Sequence, residues 1–155
     1  MLFQYSLFSN ELYFIPDDSK IVLKKIKKSL KHSEKSIKIL AYNFSYNKLA
    51  SYLKQSKSNI QIIFDTKAIK DAKSQLHKIC NQDIKNIDCF VFDEDLKLHS
   101  KIIIIDDDLA IFGSPNLTKS SFKSNYENIY FEYDKNIIKK FDGYFAKLLK
   151  NSDKI

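Results

Sequence analysis

Residues 98–116 read LHSKIIIIDDDLAIFGSPN and place His99, Lys101 and Asp106 in the pattern H-x-K-x-x-x-x-D. A tight loop, Gly113-Ser114-Pro115-Asn116, begins seven residues past Asp106. A histidine can act as a nucleophile or move a proton, and lysine, serine and asparagine can hold the oxygens of an anion. The isoleucine run at 102–105 predicts a strand buried on both faces. Side chains alternate along a strand, so His99 and Lys101 share one side, while Asp106 has the opposite parity and is read as fixing the turn that follows. A lysine at the edge of such a strand is costly unless an anion lies beside it. The chain has only two glycines, Gly113 and Gly143, and two prolines, Pro16 and Pro115, so half of each falls in the GSPN loop. In a chain so poor in turn formers, that loop needs a special backbone at Gly113.

The remaining elements are read as the frame for these residues. Residues 109–112 return as a second strand, so a hairpin brings His, Lys, Ser and Asn together. Upstream, strands are predicted at 11–15, 36–42, 60–64 and 87–92. Helices are predicted after the Asp17-Asp18-Ser19 start signal, at 46–55 and at 70–80. This alternation predicts an α/β fold, a mixed, mostly parallel central sheet flanked by helices, with ligands at the strands' C-terminal ends. Residues 117–124 read as a polar connection and a mobile wall of the site. A last strand at 125–133 carries Glu127, and a helix at 135–150 closes the chain. No linker or internal repeat divides it, so residues 1–155 read as one catalytic domain.

Composition narrows the classes. With 155 residues and 44% hydrophobic content, the chain can build a core and is not a disordered type. Net charge is +7 and pI about 9.2, and every one of the 26 basic residues is lysine. That balance permits an anionic partner, although a lysine-rich coding bias would produce it equally well. Lysine is a point charge, so nucleic-acid contacts would go to phosphates and be non-specific. Cys80 and Cys89 could pair, but they match no disulfide framework or zinc spacing and read as free thiols. The first 14 residues lack a basic n-region and a clean apolar stretch, and no run reaches the length of a membrane span. The expected location is the cytoplasm, or the periplasm or exterior if a leader was removed.

His-x-Lys with its aspartate, followed by GSPN and then Glu127 in NYEN, resembles the phospholipase D superfamily, whose signature is H-x-K-x-x-x-x-D with G-S-x-N. The branch it is most similar to is that of small bacterial nucleases with one motif per chain. The segments YFIP (13–16), IKILAYNFS (37–45) and IQIIFD (60–65) fall where that branch has its first strands. The resemblance implies a phospholipase D/nuclease-like fold and a metal-independent phosphodiesterase without a cofactor. In that reading His99 attacks phosphorus to give a phosphohistidine, Glu127 orients its ring, and Lys101, Ser114 and Asn116 bind phosphate. Two histidines are needed, one to attack and one to protonate the leaving oxygen, and only His99 has the motif. His32 and His77 read as structural or surface residues. The second histidine would then come from another copy, giving a homodimer with a shared site.

Other classes compete with this reading. The acidic groups Asp93-Glu94-Asp95 and Asp106-Asp107-Asp108 could hold metals, but consecutive carboxylates on turns more often act as solvated caps. A basic module that binds nucleic acid without cleaving it is the non-enzyme reading. Among substrates, DNA or RNA is favoured, with an anionic phospholipid such as cardiolipin as the alternative.

Overall fold

The computed structural model describes residues 9–70, 73–80 and 84–155. The first eight residues, on which the leader reading partly rests, lie outside them. Strand β1 (Glu11–Ile15) leads into helix α1 (Ser19–Lys31), whose buried Val22, Leu23, Ile26 and Leu30 recur at helical spacing. Asp18 precedes α1, but its carboxylate accepts from the Phe14 amide rather than from the helix. The start signal therefore works by folding the chain back from β1. Next come β2 (Ser36–Ala41), α2 (Asn47–Lys54) and β3 (Asn59–Asp65). The short helices α3 (Thr66–Ile69) and α4 (Leu76–Cys80) precede β4 (Ile87–Phe92). The hairpin β5 (Ile102–Ile105) and β6 (Leu109–Gly113), strand β7 (Glu127–Glu132), helix α5 (Lys135–Lys150) and β8 (Ser152–Lys154) complete the order.

The eight strands form one sheet in the order β1-β7-β6-β5-β2-β3-β4-β8. Its mixed character and flanking helices match expectation, but the balance of pairings does not. Only β2–β3 and β3–β4 pair in parallel; β1–β7, β7–β6, β6–β5, β5–β2 and β4–β8 are antiparallel. Strand–helix alternation does build the parallel half, as crossover geometry requires. The motif hairpin then enters beside β2 and draws β7 and β1 in antiparallel. Each sheet face has its own core. One packs Ile39, Ile62, Ile103 and Ile111 under α1 and α2; the other packs Leu40, Ile63, Ile104 and Ala110 under Ile138, Phe145 and Leu148 of α5. That two-faced burial explains the unbroken isoleucine run.

Three local readings are corrected. The helix expected at 70–80 begins only at Leu76. Ser74 Oγ donates to the Phe44 carbonyl and accepts from the Leu76 amide, while the Gln75 amide bonds the Phe44 carbonyl, so these groups are spent on a neighbouring loop. His77 falls in α4, with its side chain outside the described residues. Cys80 and Cys89 are not free thiols but a disulfide, because α4 is laid against β4 with the two Cα atoms 5.8 Å apart, within bridging range. Strand β8, too polar to announce itself, is defined by pairing with β4 and by the Ile155 amide bonding the Cys89 carbonyl.

Candidate active site

The motif is pulled apart along β5. His99 and Lys101 lie in the extended lead-in, next to the C-terminal ends of β2 and β3. Asp106 lies past the other end of the strand, about 17 Å from Lys101 and about 24 Å from His99 at some 3.4 Å per residue. It is therefore no part of the site's lining, and its contacts explain its place in the pattern. Its two carboxylate oxygens accept from Ser33 Oγ at 2.8 Å and from the amides of Glu34, Lys35 and Ser36 at 2.9, 2.8 and 2.9 Å. Burial pushes this carboxyl up, but those donors outweigh burial and hold it below its ordinary value. Asp106 and Asp107 both have left-handed backbones, φ 54 and 57, which aspartate tolerates better than most residues. Asp106 thus locks the loop entering β2 to the hairpin and sets the register that brings the far end of β2 beside His99.

Lys101 Nζ lies 2.9 Å from His99 Nδ1 and 3.2 Å from Nε2, and donates to the His99 carbonyl at 2.7 Å. An ammonium only donates, so the ring nitrogen it bonds must be unprotonated. Burial, then Lys101 and Lys97, hold the exposed His99 below its ordinary value, while Asp65 opposes them. Lys101 is also lowered, by burial and by Lys97, against the pull of Glu127. A neutral imidazole beside a half-buried cation is what an attack on an anionic centre requires.

The GSPN loop is clasped to β7. Ser114 donates its amide to the Asn128 carbonyl at 3.1 Å and accepts from the Asn128 amide at 3.1 Å; its hydroxyl donates to a Glu127 carboxylate oxygen. The other Glu127 oxygen accepts from Asn125 Nδ2 at 3.3 Å. Within one chain Glu127 holds Ser114, and its link to the His99–Lys101 pair runs to Lys101 by charge, not to the imidazole. Gly113 is required by close approach: a Cβ there would strike the Asn128 carbonyl and lie 3.0 Å from the Ile129 Cα. Asn116 is positioned by the residue after it. Leu117 bridges to Phe44, its amide bonds the Asn43 carbonyl, and its own carbonyl accepts from Ser45 and Tyr46. The buried Asn116 Oδ1 has no hydrogen-bond partner among the described residues. The segment after GSPN is not a loose polar wall: Phe122 is buried, and Ser19 Oγ donates to its carbonyl at 2.6 Å.

Sequence reasoning missed three residues here. Tyr42, just past β2, puts its ring 4.6 Å from the His99 ring. Lys97 places its ammonium 4.5 Å over Tyr42. Asp65, 5% exposed at the end of β3, accepts the Leu98 amide at 3.0 Å and so steadies the approach to His99. Their only signal was position at strand ends next to the motif. His32 sits at the opposite end of the sheet with Nδ1 2.8 Å from the Lys28 carbonyl, a helix-end contact. Among the described residues no group of three or more His, Cys, Asp or Glu is placed to hold a metal, and Asp93, Glu94 and Asp95 line an open surface hollow.

The family model described as "Cardiolipin synthase, PLD-like domain" matches residues 26–149. The chain belongs to the phospholipase D-like family. That superfamily acts on phosphodiester bonds. Curated relatives include cardiolipin synthase 2 of Bacillus cereus, 43% identical over 58 residues, and cardiolipin synthase 1 of Staphylococcus epidermidis, 40% identical over 55. Those stretches are 37% and 36% of this chain and 11% of each relative, so the chain spans a small part of their length. Two solved structures share the fold of this phospholipase D-like chain almost end to end. NucT from Helicobacter pylori superposes with a TM-score of 0.84 at 23% identity, covering 93% of this chain and 97% of that one. The phospholipase D family member Nuc from Salmonella typhimurium gives 0.83 at 21%, covering 95% and 97%. No helix among the described residues is long and apolar enough to cross a membrane.

Proposed function

We propose that residues 1–155 form one catalytic domain that cleaves DNA or RNA without a metal, through a covalent histidine intermediate. The observation that carries this reading is the Lys101–His99 pair, an unprotonated imidazole held against a cation. A ring nitrogen of His99 attacks phosphorus and forms an N–P bond as the P–O bond to the leaving alcohol breaks. Lys101 and Asn116 hold the phosphate oxygens, Ser114, whose hydroxyl and amide protons go to Glu127 and Asn128, holds the loop that presents Asn116, and a second protonated imidazole gives its proton to the leaving oxygen. Water, deprotonated by that same imidazole, then displaces His99 and leaves a phosphate monoester.

The second imidazole is His99 of another copy, in a homodimer with a shared site: the two rings titrate as a coupled pair holding one proton between them, so one is neutral to attack while the other carries the proton. In support, His32 lies at the far end of the sheet, and the surface beside the site is apolar for a free chain. Phe14 and Tyr126 are 57% and 94% exposed, and Tyr144, 41% exposed, reaches Ser100 next to His99. A two-fold contact there would also let Glu127 of one copy face His99 of the other. The Cys80–Cys89 disulfide favours an oxidising compartment, periplasm or exterior, over the cytoplasm.

Near-complete superposition on NucT and Nuc, named as a phospholipase D family member, favours nucleic acid over lipid. Local identity to cardiolipin synthases keeps an anionic phospholipid as the second reading. The test is a parallel assay, with chelator, on single-stranded DNA, duplex DNA, RNA and cardiolipin vesicles, with His99→Ala as control. Cleavage of a polynucleotide by wild type alone is expected. Turnover of vesicles only would install the lipid reading, and binding without cleavage would leave a nucleic-acid-binding module.

A further inference from the structure

We propose that Tyr42 is the positioning residue for His99: its ring, clamped between Lys97 and the imidazole, fixes the ring plane that presents nitrogen to phosphorus. The proposal rests on the phosphodiesterase reading above and assigns a task that Glu127, engaged by Ser114 within the chain, leaves open. His99 is exposed and stands in the lead-in to β5, outside the strand's hydrogen-bonded ladder, so nothing in its own backbone pairing restrains the side chain. Its observed ring contacts are Lys101 Nζ, which lies near both nitrogens and so selects neither, and Tyr42, whose ring lies 4.6 Å away and tilted by 58°. Tyr42 is suited to the role because it follows β2 directly and that strand is pinned to the motif hairpin. Lys97 Nζ at 4.5 Å and Lys101 Nζ at 5.9 Å both lie over the Tyr42 ring, an attraction between cation and ring quadrupole. One aromatic ring thus gathers two cations and the nucleophile.

This arrangement has an electrostatic consequence. The charged and titratable groups facing His99 are Lys97 and Lys101 on its own segment, Asp65 at the end of β3 and Tyr42 after β2; Glu127 of β7 acts on Lys101. Lys97 disfavours the imidazolium, and Tyr42 holds Lys97 close through its hydroxyl and its ring, with Asp65 attracting the same ammonium. Without the ring, Lys97 is no longer held beside the imidazole, and the ring face that Tyr42 covers opens to water. Both changes make protonation of His99 easier.

The experiment compares wild type, Tyr42→Leu, Tyr42→Phe and Lys97→Met on a single-stranded DNA oligonucleotide across pH, with the His99 ring resonances titrated by NMR on the same proteins. Tyr42→Leu should lose about tenfold or more in kcat with KM little changed, since misplacing a nucleophile costs rate rather than affinity. Its acid limb and its His99 titration should both move to higher pH. Tyr42→Phe keeps the ring but loses the hydroxyl that also attracts Lys97, so its kcat should stay near wild type while its His99 titration moves less than that of Tyr42→Leu. Lys97→Met should move the limb in the same direction with a smaller loss of kcat, which keeps the test valid if Tyr42→Leu fails to fold. An unmoved His99 titration in both Tyr42→Leu and Lys97→Met, or a Tyr42→Phe as impaired as Tyr42→Leu, would overturn the proposal. Should wild type cleave no polynucleotide while the NMR shifts appear, the clamp stands and the nuclease reading fails.

Discussion

At the residue scale, the proposed chemistry depends on a histidine whose neighbours disfavour its protonation. Burial and the two lysines lower its proton affinity, so His99 stays unprotonated to a pH below the ordinary histidine value of 6.5. The acid limb of kcat/KM should therefore lie on the acidic side of 6.5, and raising pH through it should increase activity as the nucleophile loses its proton. A rate profile with its acid limb above that value would contradict the geometry. Glu127→Gln should still bind substrate but lose activity by orders of magnitude, because a neutral amide stabilises neither Lys101 nor an imidazolium across a two-fold axis. Rates within about twofold of wild type would remove Glu127 from the machinery.

At the element scale, two ties hold the strand ends in place. Asp106 joins the hairpin to the loop before β2, and its depressed carboxyl makes that tie pH-dependent. A group lowered in the folded state stabilises above its unfolded pKa, near 3.8, and loses the contribution as pH falls through its folded value. Asp106→Asn, which suits the left-handed backbone, should cost about 1–3 kcal/mol at pH 7 in urea unfolding. The difference from wild type should shrink toward pH 3; a constant deficit would mean that the charge is not what matters. The second tie is Cys80–Cys89. Reduction, or Cys80→Ala with Cys89→Ala, should cost about 2–3 kcal/mol, the chain-entropy estimate for so short a loop. Because the segment before α4 bonds Phe44, and Phe44 pairs with Leu117 beside Asn116, opening the bridge should also raise KM. A melting temperature and KM unchanged by reductant would show the bridge to be incidental.

At the scale of the whole molecule, the proposed dimer would give a chain with one motif histidine a second by symmetry. Sedimentation at micromolar concentration should give twice the 18.2 kDa chain mass. Mixed dimers of wild type and His99→Ala should be nearly inactive, since each shared site would lack one imidazole. A fully active monomer, or mixed dimers with half the activity, would sink this model. Replacing Tyr126 and Phe14 with serine should weaken association if that exposed surface is the contact.

The primary sequence alone was enough to place His99, Lys101, the GSPN loop and Glu127 within one family pattern. It also placed most strands and both long helices, because each is written in local period and turn chemistry. The isoleucine run and the stripes of α1 and α5 each report how one segment meets a core. What lay beyond it depends on contacts between distant segments. The antiparallel half of the sheet follows from where the hairpin inserts. The break before α4 follows from Ser74 and Gln75 bonding Phe44, and the disulfide from α4 meeting β4. The same holds at the site. Tyr42, Asp65 and Lys97 were ordinary residues in sequence until β2, β3 and the lead-in to β5 were brought side by side. Asp106, written as part of the motif, proved to act about 17 Å from Lys101 and farther still from His99. Spacing along a chain gives which residues are near in sequence; only the folded sheet, with its fixed register, decides which side chains share a cleft.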